Sequence, residues 1–201
     1  MLDFETTGLS PAQGARITEV AALRIVDGKI VERFVSLINC DVEIPAEITA
    51  LTGISQAMVD TAPPVQQVLP ALLAFIGTHA LAAHNASFDA KFLAAESQRL
   101  DLQSSYSELV CSLLLSRRLL PGLTSYRLAS VAASQGIRFS GNAHRAEADA
   151  EVSAQLLIRI GQRLQQHYHC RHIDAPLLAA IGRLPAAKVA AFLQQRAVSS
   201  E

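Results

Sequence analysis

The sequence predicts an α/β fold, a mixed sheet covered by helices. Three observations carry that prediction. The chain has 201 residues, half of them apolar, enough for one domain with a good core or one domain with a small appendage. Its opening segments read as strands. After them, strand-like and helix-like segments alternate, the order that lays helices against a sheet.

The first element is the apolar run that opens "LDFETTGLS" (2–10). Side chains alternate along a strand, so Asp3 and Glu5 share one face, about 6.6 Å apart, while Leu2 and Phe4 point the other way. Two acids side by side on a half-buried strand destabilise it unless a cation or a proton neutralises them. With only two residues before Asp3, this strand is short against the typical span of about 5–6 residues. Residues added upstream are therefore expected to stabilise the fold.

Residues 17–37 read as two strands around Asp27-Gly28, a pair that favours a type I′ hairpin. Residues 41–64, rich in Pro, Thr and Gly, read as a connection. Helical spacing of Val65, Val68, Leu72, Phe75 and Ile76 marks 64–77 as a helix. "ALAAH" (80–84) reads as a short strand, and Asn85 is placed to cap a helix over 86–100. Residues 108–120 read as a short strand or helix start, ended by Pro121-Gly122. "SYRLASVAASQG" reads as a helix closed by Gly136. A long helix is expected over about 145–165. The tail, 166–201, reads as two short helices broken at Pro185, packed on the domain or offering a dimer or partner surface. Its "HYHCRH" holds His167, His169, Cys170 and His172 at a spacing tighter than ordinary zinc patterns.

Two further acids stand out. Asp89 falls early in the helix after "AAHNASFD". Asp149, at 100° per residue, lines up with Val152, Leu156 and Ile160, the apolar face of its helix, while Glu147 and Glu151 fall on the opposite side. An acid on a core stripe caps a neighbouring element, pairs with an arginine or is put to use. His144 lies five residues before Asp149, a turn of about 140°, so it belongs at or before the helix start, which Gly141 and Asn142 support. There it could accept a proton near neutral pH.

Composition limits the classes. No apolar run reaches the roughly 18–20 residues of a membrane span, and no secretory leader is legible. Three scattered cysteines suggest a reducing cytoplasm. A net charge of −1 provides no global field for nucleic acid, so such a role would rest on local charge or metals. Arginine supplies 14 of the 17 basic residues, which suits bidentate phosphate contacts.

Asp-x-Glu at Asp3 and Glu5, His-Asn-x-x-Phe-Asp at 84–89 and His-x4-Asp at 144–149 together resemble the three motifs of the DEDDh 3′–5′ exonucleases. These are the DnaQ-like family of the proofreading epsilon subunit of bacterial DNA polymerase III. "ITEVAALRIVDGKIVERF", "IPAEITALTGIS", "PGLTSYRLASVAASQGI" and "AHRAEADA" extend the likeness in order and spacing over residues 1–165. The resemblance implies a ribonuclease-H-like fold with a five-stranded mixed sheet flanked by helices, followed by a helical extension over 166–201. It implies two divalent ions, Mg²⁺ or Mn²⁺, held by Asp3, Glu5, Asp89 and Asp149. Hard cations favour carboxylate oxygen, and a pair about 3.5–4 Å apart can stabilise both oxygens of a phosphodiester cleavage.

The resemblance further implies that His144 deprotonates the attacking water and that 5′-nucleoside monophosphates leave a 3′ end. It makes Thr6, Thr7, Gly8 and Leu9 the loop that receives the terminal nucleotide, with Glu47 and Thr52 near its sugar and base. DNA, single-stranded or frayed, is the expected substrate, with a replicative polymerase as candidate partner in the cytoplasm. Two alternatives stand beside this: an exoribonuclease of the RNase T or oligoribonuclease type, and a non-catalytic nucleic-acid-binding or scaffold module of the same fold.

Overall fold

The computed structural model describes residues 1–139, 141 and 143–198. β1 (Leu2–Thr6), β2 (Ile17–Val26) and β3 (Lys29–Leu37) form an antiparallel ladder in that order. Asp27 and Gly28 join the last two with φ of 50° and 72°, the double positive φ that a type I′ turn requires. The connection over 41–64 is less irregular than its composition suggests. It contains α1 (Ala46–Thr52) and α2 (Gln56–Asp60), the latter capped by the Ser55 hydroxyl. Both are too short to show helical periodicity.

α3 (Val65–Ile76) leads to β4 (Leu81–Ala83), then α4 (Ala86–Arg99). Asn85 does not cap α4 through its side chain. It takes a left-handed conformation, φ 74°, and so turns the chain sharply from strand to helix, a backbone shape Asn tolerates well. The segment 108–120 is both a strand and a helix, β5 (Leu109–Cys111) followed by α5 (Ser112–Leu119). α6 (Leu128–Ser134) is shorter than its motif. The long helix α7 (Ala146–Tyr168) runs a few residues past its expected end. α8 (Ala175–Arg183) and α9 (Ala186–Val198) follow, broken at Pro185 as expected. Asn142, invoked for the start of α7, lies outside the described residues.

The two faces of the β1–β2 ladder are covered differently. Leu2, Phe4, Val20 and Ala22 pack under α3 and α4 with Leu69, Leu72 and Phe92. Ala21 and Leu23 face α7, whose Val152, Leu156 and Ile160 share a second core with Leu177, Ile181 and Leu193 of the tail helices. Burial of these large side chains, roughly 1.5–3 kcal/mol each, fixes the sheet between its helices.

The expected five strands are present, but in two ladders, because β4 and β5 pair only with each other, in parallel. The reason is local. β1 begins at Leu2, β4 has three residues, and the Phe4 N–H donates to the Asp89 carboxylate at 3.2 Å. The Met1 ammonium is buried and donates to the Leu23 carbonyl at 2.6 Å. Burial, then the nearby Arg24 charge, pushes its pKa down to about 5. Beyond Met1 lies a cavity of about 870 Å³ bordered by Arg24–Val26 of β2, Leu81 and Ala82 of β4, and parts of α7 and α8.

Candidate active site

Three elements bring the acids together. β1 presents Asp3 and Glu5 on one face, half-buried, while Leu2 and Phe4 are buried on the other. α7 crosses that face and contributes Asp149 from its first turns. One carboxylate oxygen each from Asp3, Glu5 and Asp149 lies within 4.8 Å of the other two, close enough for one hard cation to be shared among them. Asp89, in the first turn of α4, stands outside that triplet but raises the pKa of Asp3 by its charge.

The electrostatics of the cluster are unfavourable as it stands. Burial drives the Asp3 carboxyl well above its usual range, and the charges of Asp89, Asp149, Glu5 and Glu19 add to that. Glu5 is pushed up to about 8, first by burial and then by Asp149 and Glu19, against the opposing pull of Arg145. Asp89 rises to about 7 through burial, held back by backbone N–H groups including that of Phe4. Asp149 is raised by burial and eased by the His144 N–H. A buried cluster of acids with too little positive charge is what a divalent ion would neutralise. The donor set, carboxylate oxygen from three chain segments, fits Mg²⁺ or Mn²⁺.

His144 is exposed, two residues before α7, with φ 63°. Its N–H donates to Asp149 Oδ2 at 3.0 Å, so the same carboxylate that faces Asp3 also holds the histidine backbone. His84 of the second motif is spent on structure. Its Nε2 faces the Tyr126 carbonyl at 3.0 Å and its Nδ1 the Ser112 hydroxyl at 2.9 Å. A carbonyl only accepts, which assigns the proton to Nε2.

The loop after β1 is built tightly around its threonines. Thr6 donates to the Gly8 carbonyl at 2.7 Å, and the Thr7 hydroxyl accepts from the Arg16 N–H at 2.9 Å. Leu9 is 86% exposed. Thr7, Gly8 and Leu9 line a hollow of about 230 Å³ that Pro45, just before α1, closes from the other side. Glu47 is exposed on the first turn of α1. The Thr52 hydroxyl donates to the Ile48 carbonyl at 2.9 Å and accepts the Ile54 N–H at 3.1 Å.

Sequence reasoning missed Glu19 and Arg145. Glu19, on β2 directly opposite Glu5, is almost fully buried. It accepts from Arg145 Nη2 at 2.6 Å, from Arg145 Nε at 3.0 Å and from the Ala146 N–H at 2.9 Å. The available signal was an acid in the largely apolar strand "ITEVAALRIV".

A sheet wrapped by helices, with acids from three distant segments converging at one end of its first strand, defines a class: the ribonuclease-H-like exonucleases. The chain belongs to the exonuclease family named for RNase T, which it matches over residues 1–157. It is 32% identical over 168 residues to the DNA polymerase III subunit epsilon of Aquifex aeolicus, covering 84% of this chain and 82% of that one. It is 36% identical over 166 residues, 83% of its length, to the 3′-5′ exonuclease DinG of Bacillus subtilis, but spans only 18% of that protein. It spans 12% of the PolC-type DNA polymerase III of Oceanobacillus iheyensis, at 38% identity over 174 residues and 87% of its own length. Among solved structures, exonuclease X in complex with 5′ overhanging duplex DNA superposes with a TM-score of 0.70 at 29% identity, over 90% of this chain and 97% of that one. The nuclease domain of 3′hExo, a DEDDh family member bound to rAMP, shares the fold at a TM-score of 0.70 and 20% identity, over 80% of this chain and 90% of that one. No described helix is long and apolar enough to cross a membrane.

Proposed function

We propose that this chain is a 3′–5′ exonuclease that uses two divalent ions, Mg²⁺ or Mn²⁺, to release 5′-nucleoside monophosphates from single-stranded or frayed DNA. The observation that carries the reading is the convergence of the Asp3, Glu5 and Asp149 oxygens within 4.8 Å, in a pocket whose acids burial makes costly to ionise. Asp89 completes the ligand set. The bound ions would supply positive charge to the scissile phosphate and make water easier to deprotonate. His144, held to Asp149 through its backbone, accepts the proton of the attacking water. The exposed Leu9 offers an apolar surface to the terminal base, and Gly8 allows the sugar-phosphate to come close to the backbone. Glu47 and Thr52 border the terminal nucleotide. Residues 1–165 form the catalytic unit and 166–201 an extension available to a dimer or partner contact.

The relatives named for DNA polymerase III support DNA as substrate and a replicative polymerase as partner. The free thiols Cys40, Cys111 and Cys170 support a cytoplasmic setting. The test is end-labelled single-stranded DNA and RNA, each with Mg²⁺, Mn²⁺ or a chelator. Stepwise loss from the DNA 3′ end with either metal, abolished by the chelator and by Asp149→Ala, is the expected result. Preference for RNA would move the chain to the exoribonuclease alternative. Inactivity on both would leave a binding module. His144→Ala should lose activity while retaining metal, and loss of metal instead would reject its role as proton acceptor.

A further inference from the structure

The geometry points to Glu19 and Arg145 as a positioning pair that sets the first turn of α7, and with it Asp149 and His144, against β1. This rests on the exonuclease reading for its consequence in catalysis, but not for its consequence in metal binding. Arg145 is the N-cap of α7, and its side chain makes no capping bond to the helix. The orphan N–H of Ala146 is accepted across the fold by Glu19, 2.9 Å away, from a strand 127 residues distant in sequence. The same carboxylate takes two bonds from the Arg145 guanidinium, at 2.6 and 3.0 Å. A planar fork meeting a planar carboxylate at two points fixes orientation as well as distance.

Position makes this more than a cap. Glu19 stands directly across from Glu5 on the neighbouring strand, so the clamp ties α7 to the sheet beside one of the acids that Asp149 must meet. β2 carries one extra residue there, since the pairing shifts between Glu5 and Thr6, and bulges of this kind re-aim side chains near functional sites. On the other side of the clamp, His144 adopts a left-handed backbone, φ 63°, which a non-glycine residue holds only when its neighbours fix it. Two anchors do so: its own N–H on Asp149, and the side chain of the next residue on Glu19. A neutral cap would have satisfied the helix without adding a fifth acid to a crowded site. What the pair adds is a rigid two-point attachment that Ser or Asn cannot make.

Arg145→Ala and Arg145→Lys test this with two measurements. The first is Mn²⁺ binding by titration calorimetry, at a temperature far below melting; the second is kcat and KM on single-stranded DNA. Weakened Mn²⁺ binding of about tenfold in both variants, with kcat down about 30-fold or more and KM within about threefold, is the expected pattern. Lysine should fail to rescue because one ammonium cannot reproduce the fork. Added to His144→Ala, Arg145→Ala should lower kcat by far less than it does alone, because the histidine it places is already gone. Since Arg145→Ala strands a buried carboxylate and could unfold, the double variant Glu19→Gln/Arg145→Gln removes both charges together. A folded single or double variant with wild-type Mn²⁺ affinity and wild-type kcat would overturn the inference. A wild-type protein that binds Mn²⁺ yet digests nothing would instead reject the exonuclease reading, leaving the metal measurement to judge the pair.

Discussion

Two groups of acids in this molecule, one buried and one mostly half-buried, meet opposite fates. Glu96 on α4 is 1% exposed and receives Arg16 at 2.7 and 3.0 Å and Arg99 at 3.0 Å. Glu19 is held by Arg145 in the same manner. Asp3, Glu5, Asp89 and Asp149 have no salt bridge among the described residues. Two of them are supported by backbone N–H, Asp89 from Phe4 and Asp149 from His144. A backbone dipole steadies a carboxylate without cancelling its charge. The difference separates acids neutralised within the fold from acids without a countercharge at salt-bridge distance among the described residues.

The sharpest way to break this comparison is to neutralise one member of each group. Arg16→Ala combined with Arg99→Ala leaves Glu96 buried and unpaired and should cost about 3–5 kcal/mol of stability, equally with Mn²⁺ or chelator, by urea unfolding. Glu5→Gln should do the reverse in chelator, adding roughly 1–2 kcal/mol by removing a charge that burial and its neighbours disfavour, and should abolish the stabilisation that Mn²⁺ brings. If both variants lose stability alike, the two groups are not different in kind.

A smaller effect appears in the pH dependence. Carboxyls whose pKa rises on folding stabilise the protein below their unfolded values and lose that contribution as pH climbs through the folded ones. With Glu5 at about 8 and Asp89 at about 7, stability in chelator should fall between pH 4.5 and 8. Mn²⁺ should therefore raise the melting temperature more at pH 8 than at pH 6, with protons released on binding at the lower pH. The Met1 ammonium works the other way. Lowered on folding to about 5, it makes stability rise from pH 5 to 8, one group against four. The smallest expected change isolates it: a few apolar residues placed before Met1 replace the ammonium by an amide and should add about 1 kcal/mol at pH 6. Equal melting temperatures would count against the expectation that β1 is too short.

The sequence made most of this fold legible where pattern and punctuation agree. Asp27-Gly28 announced its hairpin, and the Val152, Leu156 and Ile160 stripe located both α7 and the odd acid upon it. α1 and α2 were hidden because five to seven residues carry no period to read. The broken sheet was hidden because strand pairing is a long-range outcome, and β1 and β4 are each too short to impose it. At the site, Asp3, Glu5 and Asp149 could be gathered by motif, but Arg145 drew no reading from the sequence. Its partner lies on a strand far away in the chain, and no local pattern reports that distance.

The single bond from the Phe4 amide to Asp89 has a wider meaning. It yokes the helix carrying one acid to the strand carrying two others, so the floor of the cleft behaves as one plate. Side chains at the rim, where Leu9 and His144 stand open to water, can then change position without disturbing the spacing underneath.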